Sequence, residues 1–318
     1  MYFLIILVVE SLYFKIAIYY NILDKPNERS SHMESTIRGG GIVYIVAAVI
    51  VLFTNQMHWI MIAGLLIIGT ISFVDDRITL PSRVRIIFHL LAVTLLFYAL
   101  DLSSIFSAFG IAVLYIIIVG IINAYNFMDG INGITGLYSL VLLCSLQYVN
   151  LHIKFVETDL IWLPILASIV FLWFNFRKKA VCFAGDVGSI SIAYWILFLL
   201  LKVIIVTNNY SYALFLLIYG LDTVSTIIFR LIRKENITLA HRSHFYQYLA
   251  NERKIGHIYI AFGYSLTQLL LIFIVLILNP LSIIKVVLIS TISFIIFIVI
   301  RFKIQGKQNL LKLPVNAG

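Results

Sequence analysis

Residues 107–136 read SAFGIAVLYIIIVGIINAYNFMDGINGITG, an apolar run that ends abruptly in amides, a carboxylate and glycines. The apolar part is long enough for a transmembrane helix, and lipid does not tolerate such a polar cluster without a reason. Asn123 and Asn126 lie three residues apart and Gly130 follows Asn123 by seven, so these positions share one helix face. The cluster predicts a site for a metal ion or a nucleotide, with hydrogen bonding between membrane helices as the alternative.

The chain as a whole has the composition of a membrane protein. Its 318 residues are 62% hydrophobic and 12% charged, whereas a soluble domain is roughly half apolar and a quarter charged. Apolar runs near twenty residues indicate helices rather than a barrel. We predict an all-α, polytopic integral membrane protein with about eleven transmembrane helices, ten being the alternative, at residues 3–21, 41–55, 59–74, 86–100, 107–124, 134–150, 160–175, 188–206, 211–228, 257–278 and 281–300.

The charges predict how these helices are oriented. The net charge is +9, but 19 of the 23 Lys and Arg residues fall in the segments on one side of the predicted helices. This is the distribution of a membrane protein, so we expect no nucleic-acid partner. The positive-inside rule makes the basic side cytoplasmic, which places the N-terminus outside and the C-terminus in the cytoplasm.

Polar clusters fall on that cytoplasmic side at the ends of the predicted helices. They lie at residues 24–41, 75–77, 123–136, 185–189 and 241–244. This placement favours chemistry at the inner membrane surface. A membrane transporter of an anionic substrate is the alternative, but it would concentrate polar groups near the bilayer midplane.

Asp75 and Asp76 are adjacent carboxylates at the end of the third predicted helix. Two negative charges at a helix C-terminus interact unfavourably with the helix macrodipole. We expect this unfavourable energy to be compensated by a bound cation or by Arg77, or to be tolerated because the pair has a function. The alternative is a solvated helix end in which the pair is neutralised by Arg77.

The sequence Gly185-Asp186-Val187-Gly188-Ser189 predicts a turn that leads into a helix N-terminus, where free amide groups suit a phosphate. Asp186 with an amide oxygen such as that of Asn126 would hold Mg²⁺, which needs few protein oxygens. The alternative is an ordinary N-cap, because Asp and Ser are common capping residues.

The sequence His241-Arg242-Ser243-His244 adds a basic group to the same side. Arginine grips phosphate oxygens through two parallel hydrogen bonds. Two histidines three residues apart, with no third clear ligand, make a poor zinc site, so we expect phosphate contact. The alternative is a solvated inner loop.

Together these motifs resemble one family. Asp75-Asp76, the NxxNxxDGxNG run that begins at Asn123, the GDxGS sequence and the HRSH loop occur in the same order in the polyprenyl-phosphate N-acetylhexosamine-1-phosphate transferases of glycosyltransferase family 4. These membrane enzymes load a sugar-1-phosphate from a UDP-sugar onto a lipid phosphate. Residues 24–32 and the run Arg38-Gly39-Gly40-Gly41 resemble the bacterial branch that initiates O-antigen or similar surface polysaccharides. The peptidoglycan branch has a histidine-richer inner loop, so a muramyl-pentapeptide substrate is the less expected one.

The resemblance implies a location, a reaction and residue roles. The location would be the bacterial inner membrane, with a multi-pass chain whose N-terminus is in the periplasm and whose C-terminus is in the cytoplasm. An N-acetylated amino-sugar-1-phosphate would pass from a UDP-N-acetylhexosamine to undecaprenyl phosphate in the lipid bilayer with release of UMP, and Mg²⁺, or Mn²⁺ in its place, would be the cofactor. The metal ligands would be Asp186 and Asn126. The catalytic residues would be Asp75, Asp76 and Asp129. The substrate-binding residues would be Asn123, Asn126, Gly130, Asn132, His241, Arg242, His244 and Arg38.

We expect one transmembrane catalytic domain, residues 1–318, with a cytoplasmic substrate-recognition loop at 229–256. Asn132 and the Gly130 backbone would lie near the uracil. The sugar and a homodimeric state stay open. An intramembrane aspartyl protease would need GxGD where this chain has Phe183-Ala184-Gly185-Asp186, and a CDP-alcohol phosphotransferase would need Ala-Arg where it has Ile134-Thr135.

Overall fold

The computed structural model describes residues 1–24, 35–237, 239 and 241–311. Most of the predicted surface-polysaccharide signature, residues 25–32, lies outside the described residues. The helices and strands are α1 (Tyr2–Tyr19), β1 (Leu23–Asp24), β2 (Thr36–Ile37), α2 (Ile42–Thr54), α3 (Trp59–Ile78), α4 (Ser82–Ala99), α5 (Leu102–Ile105), α6 (Ala108–Phe127), α7 (Ile134–Ile153), α8 (Asp159–Asn175), α9 (Gly185–Thr207), α10 (Leu217–Ile232), α11 (Phe245–Asn251), α12 (His257–Leu278), α13 (Ile283–Gln305) and α14 (Lys307–Leu311). Short 3-10 helices cover Gln56–His58 and Tyr210–Leu216.

The helices confirm the predicted all-α, polytopic membrane fold. Each of the eleven predicted segments coincides with an apolar helix. Across the described part of the chain, nine helical segments are long and apolar enough to cross a membrane, while α2 and α8 are shorter, with 13 and 17 residues. At 1.5 Å per residue α2 is about 20 Å long, less than the roughly 30 Å of a hydrocarbon layer. It packs against α1, α3, α8 and α9, so protein rather than lipid surrounds much of it.

Helix α9 is the centre of the molecule. Every residue from Val187 to Leu200 is buried, and the helix contacts α2, α3, α6 and α7. A helix that is apolar all round belongs inside the protein. Its first turn, which carries Asp186, is therefore held by several neighbouring helices at once.

The segment before α2 runs beside the segment before α9. Phe183 N donates to Ile37 O (2.8 Å) and Gly40 N donates to Phe183 O (2.8 Å), while Ile37 and Cys182 form a parallel bridge. A Cβ on Gly41 would collide with the backbone of Gly188, so glycine allows α2 and α9 to begin in close contact. Because of this pairing, Arg38, which lies between Ile37 and Gly39, is next to the start of α9.

Candidate active site

Asp76 caps α9 from a different helix. Its buried carboxylate accepts hydrogen bonds from the backbone amides of Asp186 (3.0 Å) and Val187 (3.1 Å) and from Arg38 Nε (2.7 Å). Gly185 has a φ of +68°, and a Cβ there would lie 2.5 Å from Asp76 Oδ2, so the turn requires glycine. Two of the amide groups that the sequence predicted to be free for a phosphate are therefore already occupied, and the partner of Asp76 is Arg38 instead of Arg77.

Arg38 lies between three carboxylates. In addition to Asp76, its guanidinium is 3.8 Å from Asp24 Oδ1 and 3.8 Å from Asp186 Oδ1. Its backbone carbonyl accepts a hydrogen bond from the Tyr13 hydroxyl. Burial disfavours the charged guanidinium, but the carboxylates outweigh burial and raise the pKa of Arg38 above its ordinary value. Arg38 thus reduces the repulsion between Asp76 and Asp186.

Asp75 faces another side of α3. Its Oδ2 accepts a hydrogen bond from Arg85 Nη1 (2.9 Å) and its Oδ1 accepts one from the Leu80 amide (2.5 Å). It lines a cavity of about 160 Å³ that also includes Asn123 and Asn126. The structure therefore brings Asp75, Asn123 and Asn126 to one cavity, while their roles stay predictions.

The two amides differ in their partners. Asn123 Nδ2 donates to Val119 O within its own helix (2.8 Å), whereas Asn126 Oδ1 accepts a hydrogen bond from Ser189 Oγ (2.9 Å). Ser189 lies one turn after Asp186 on α9, so it connects the cavity beside Asp75 with the cluster around Asp186.

Asp129 lies half-buried in the turn between α6 and α7. Burial raises the pKa of its carboxyl to about 7, and the negative charge of Asp76 acts in the same direction. Next to it, a Cβ on Gly130 would collide with the hydroxyl of Tyr246, which donates to Phe127 O (2.8 Å). The turn after the amide cluster is thus packed against α11.

Asn132 is buried, with 5% of its surface exposed. Its Nδ2 donates to the carbonyls of Arg177 (2.8 Å) and Lys178 (3.3 Å), while the Gly133 amide donates to Asn175 Oδ1 (2.6 Å). These bonds hold the turn onto the segment that leads to α9. The uracil contact of Asn132 stays a prediction, and the structure adds a positioning role for its amide nitrogen.

The HRSH loop meets the amide cluster through its histidines. The rings of His241 and His244 stack with centroids 5.1 Å apart, and Phe127 lies 6.1 Å from His241. Burial lowers the pKa of His241 to about 4, so its ring is neutral at pH 7. A positive charge for phosphate would come from Arg242, which is about half exposed and lines a polar cavity of about 570 Å³ with Arg233 and other residues near α13 and α14.

Asp222, on α10, anchors this loop. Its carboxylate accepts hydrogen bonds from the amides of Phe245 (2.9 Å) and Tyr246 (3.2 Å) and from the Tyr264 hydroxyl (2.6 Å), and it lies 3.3 Å from His244 Nδ1. Asp222 is fully buried. This fully buried carboxylate therefore orders α11 and orients one of the loop histidines.

The oxygen atoms near Asp186 fit a magnesium ion better than a metal with many protein ligands. Within the described ranges, no three His, Cys, Asp or Glu side chains converge on a metal position. Asp186 is 18% exposed on its side chain and meets Arg38 at 3.8 Å, so its carboxylate retains accepting capacity. Asn126 Oδ1 accepts one hydrogen bond and has a second lone pair. Asp76 is a poor candidate for a magnesium ligand, because its carboxylate already accepts three hydrogen bonds.

Three residues of this region were missed from the sequence. Arg85 and His89 lie four residues apart on α4 and line the cavity with Asp75. Their i, i+4 spacing in an otherwise apolar helix could have indicated that both face the same polar site. Glu10, on α1, is buried beside Cys182, and its presence in a membrane helix was a similar signal.

Comparison with known proteins agrees with the motifs. A model of glycosyl transferase family 4 matches residues 58–204, from just before α3 to near the end of α9. The matched segment covers 147 of the 318 residues, a little under half of the chain. This family segment contains Asp75, Asp129 and Asp186 and leaves out Arg38 and the HRSH loop.

One curated relative matches a similar share of the chain. The phospho-N-acetylmuramoyl-pentapeptide-transferase of Dictyoglomus thermophilum is 30% identical over 186 residues, which cover 51% of this chain and 58% of the relative. The match thus spans little more than half of that relative. Both matches bear out the predicted resemblance to glycosyl transferase family 4, and the surface-polysaccharide branch stays a prediction.

Proposed function

We propose that the protein is a phosphosugar transferase that moves a sugar-1-phosphate from a UDP-sugar to a polyprenyl phosphate at the cytoplasmic face of a bacterial membrane. One observation carries this proposal. The Arg38–Asp76–Asp186 cluster is joined through Ser189 to Asn126 and the cavity beside Asp75. Carboxylates, amides and an arginine around a small cavity suit two phosphates that must be brought together.

Asp186 and Asn126 are the residues that would hold Mg²⁺, which would reduce the repulsion between the two anionic substrates. Asp76 fixes the position of Asp186 by accepting hydrogen bonds from the backbone amides at the start of α9, and Arg38 in turn donates a hydrogen bond to Asp76. Arg242 would contact the diphosphate as a fixed positive charge, and the neutral His241 would contribute a hydrogen bond.

The acceptor would attack without a protein base. A phosphate monoester has its second pKa near ~6, so the polyprenyl phosphate is largely a dianion at pH 7. One of its oxygens attacks the β-phosphorus of the UDP-sugar, the bond from that phosphorus to the bridging oxygen breaks, and UMP leaves. The bond between the sugar C1 and its oxygen stays intact, so the anomeric configuration is retained. Asp75, already bonded to Arg85 and the Leu80 amide, orients groups in the cavity instead of accepting a proton.

We propose one catalytic domain over the whole chain, with the loop at 229–256 reading the sugar. UDP-N-acetylhexosamine is the first candidate donor, because the HRSH loop and Arg38 resemble the surface-polysaccharide branch. The name of the Dictyoglomus relative favours a second candidate, UDP-N-acetylmuramoyl-pentapeptide.

A donor panel tests this proposal. Purified protein in detergent is incubated with undecaprenyl phosphate, Mg²⁺ and one UDP-sugar at a time, and labelled lipid product is measured. We expect product with an N-acetylhexosamine donor and none with UDP-glucose. Product with the muramoyl-pentapeptide donor alone would replace the first candidate with the second, and absence of lipid product with every donor would overturn the proposed function.

A further inference from the structure

The cavity beside Asp75 contains a histidine for which the proposed reaction has no assigned role. His89 lies on α4, is 6% exposed and lines this cavity of about 160 Å³ together with Asp75, Arg85, Asn123 and Asn126. Its ring has no hydrogen-bond partner anywhere in the described part of the chain. Its ring nitrogens are not among the fully buried unpaired atoms, so they are accessible from the cavity that the residue lines. A ligand in the cavity would supply the missing bond.

The position of His89 indicates which ligand. Ser82, Arg85 and His89 line one face of α4, and the seven residue steps from Ser82 to His89 correspond to about 10 Å along the helix axis. This polar row begins at the first residue of α4 and extends into its apolar part. A phosphate attached to a lipid approaches from the hydrocarbon layer and reaches such a depth, whereas a nucleotide approaches from water.

The size of the cavity agrees with this choice. Sites for drug-sized or nucleotide-sized ligands are roughly 300–1,000 Å³, so a cavity of about 160 Å³ suits a single phosphate group. Arg85 uses Nη1 to bond Asp75, and most of its five N–H donors remain for an anion. The Arg85 charge also offsets that of Asp75 as the phosphate enters.

We propose that the His89 ring donates a hydrogen bond to the phosphate of the polyprenyl acceptor and is thus a further substrate-contacting residue. This inference rests on the proposed function, since it assigns the acceptor to the cavity beside Asp75. His89 acts on the acceptor, and the donor is held elsewhere, by the Asp186 side of the site and by the HRSH loop.

Steady-state kinetics of His89→Leu and His89→Gln test the inference. The KM for undecaprenyl phosphate is measured at saturating UDP-sugar, and the KM for UDP-sugar at saturating lipid. His89→Leu is expected to raise the KM for the lipid about tenfold or more, a loss of about 1.4 kcal/mol, and to leave the KM for UDP-sugar within about twofold. His89→Gln retains a donor and should raise the lipid KM by less. His152→Gln is the matched control, because His152 is exposed on α7.

A binding measurement separates this inference from the proposed function. Undecaprenyl phosphate should raise the Tm of the wild-type protein in detergent, while undecaprenol and inorganic phosphate should not, and His89→Leu should abolish the shift. This result would support the site even if no transfer reaction were found. An unchanged lipid KM in a folded His89→Leu variant, an equal rise in both KM values, or an undiminished Tm shift would overturn the inference.

Discussion

Asp76 illustrates how one side chain serves both structure and charge in this protein. It is the acceptor for two amides of α9 and for Arg38, and glycine at position 185 makes room for it. Hydrogen bonds to a charged acceptor are stronger than neutral ones. The start of α9, and with it Asp186, therefore depends on a carboxylate from α3.

Asp76→Asn is expected to lower stability by about 2 kcal/mol, because an amide offers one oxygen where the carboxylate offers two and leaves Arg38 without its closest anion. Thermal unfolding in detergent measures the change. Asp159→Asn, an exposed substitution in the first turn of α8, is the control and should melt close to the wild type. An Asp76→Asn protein that melts with the control would show that this cap contributes nothing.

Asp129 gives stability a specific pH dependence. Its pKa of about 7 in the folded protein lies above the roughly 4 of an unfolded Asp. Between those values the folded state holds a proton that the unfolded state has released, so stability should fall as the pH rises from about 4 to 7 and then level off. Asp129→Asn removes this contribution.

The measurement is the Tm of wild type and of Asp129→Asn in detergent from pH 5 to pH 8. The wild-type Tm relative to that of the variant should decline across this range and flatten above pH 7. A difference that stays constant, or that grows with pH, would contradict the raised pKa of Asp129.

At the scale of elements, α11 depends on α10 through Asp222. This buried carboxylate holds the amides of Phe245 and Tyr246 and faces His244. Asp222→Asn should leave the membrane helices intact and make the backbone amides of residues 245–251 exchange faster with solvent. The reason is that the hydrogen bonds from α11 to the Asp222 carboxylate, which oppose local unfolding of α11, are weakened.

Hydrogen exchange with mass spectrometry measures this loosening. The matched control is Asp101→Asn, in the exposed turn before α5, which should exchange like the wild type at residues 245–251. Faster exchange throughout the membrane helices would mean that Asp222 supports the whole fold, and unchanged exchange at α11 would show that Asp222 does not anchor the loop.

The same elements show what a sequence reveals and what it leaves hidden. The eleven helices were predictable because each is a long apolar run. The turn that leads into α9 was also predictable from its residues, but the helix begins at Gly185, three residues before the predicted start at 188. The central place of α9 was not, since hydropathy does not tell which helices are neighbours. The partners of Asp76 lie 38 and 110 residues away in the chain, so Arg77 was the natural but incorrect local choice.

At the scale of the whole molecule, separate helices meet at one small polar region. α3 contributes Asp75 and Asp76, α6 contributes Asn126 and α9 contributes Asp186. Hydrogen bonds and a shared cavity connect these residues across the three helices. The family segment spans these helices, whereas Arg38 reaches them from outside it. In the proposed reaction, a site at the end of the helices would receive its two substrates from different environments, one from water and one from lipid.

The most direct test follows the β-phosphate. The protein in detergent is given a UDP-N-acetylhexosamine labelled at the β-phosphate, undecaprenyl phosphate and Mg²⁺, and the label is traced in lipid, UMP and protein. We predict label in the lipid, unlabelled UMP, no labelled protein when lipid is omitted, and loss of transfer in a folded Asp186→Asn variant. Label that remains on the protein would contradict direct attack, and full transfer by Asp186→Asn, or none by the wild type, would contradict the site itself.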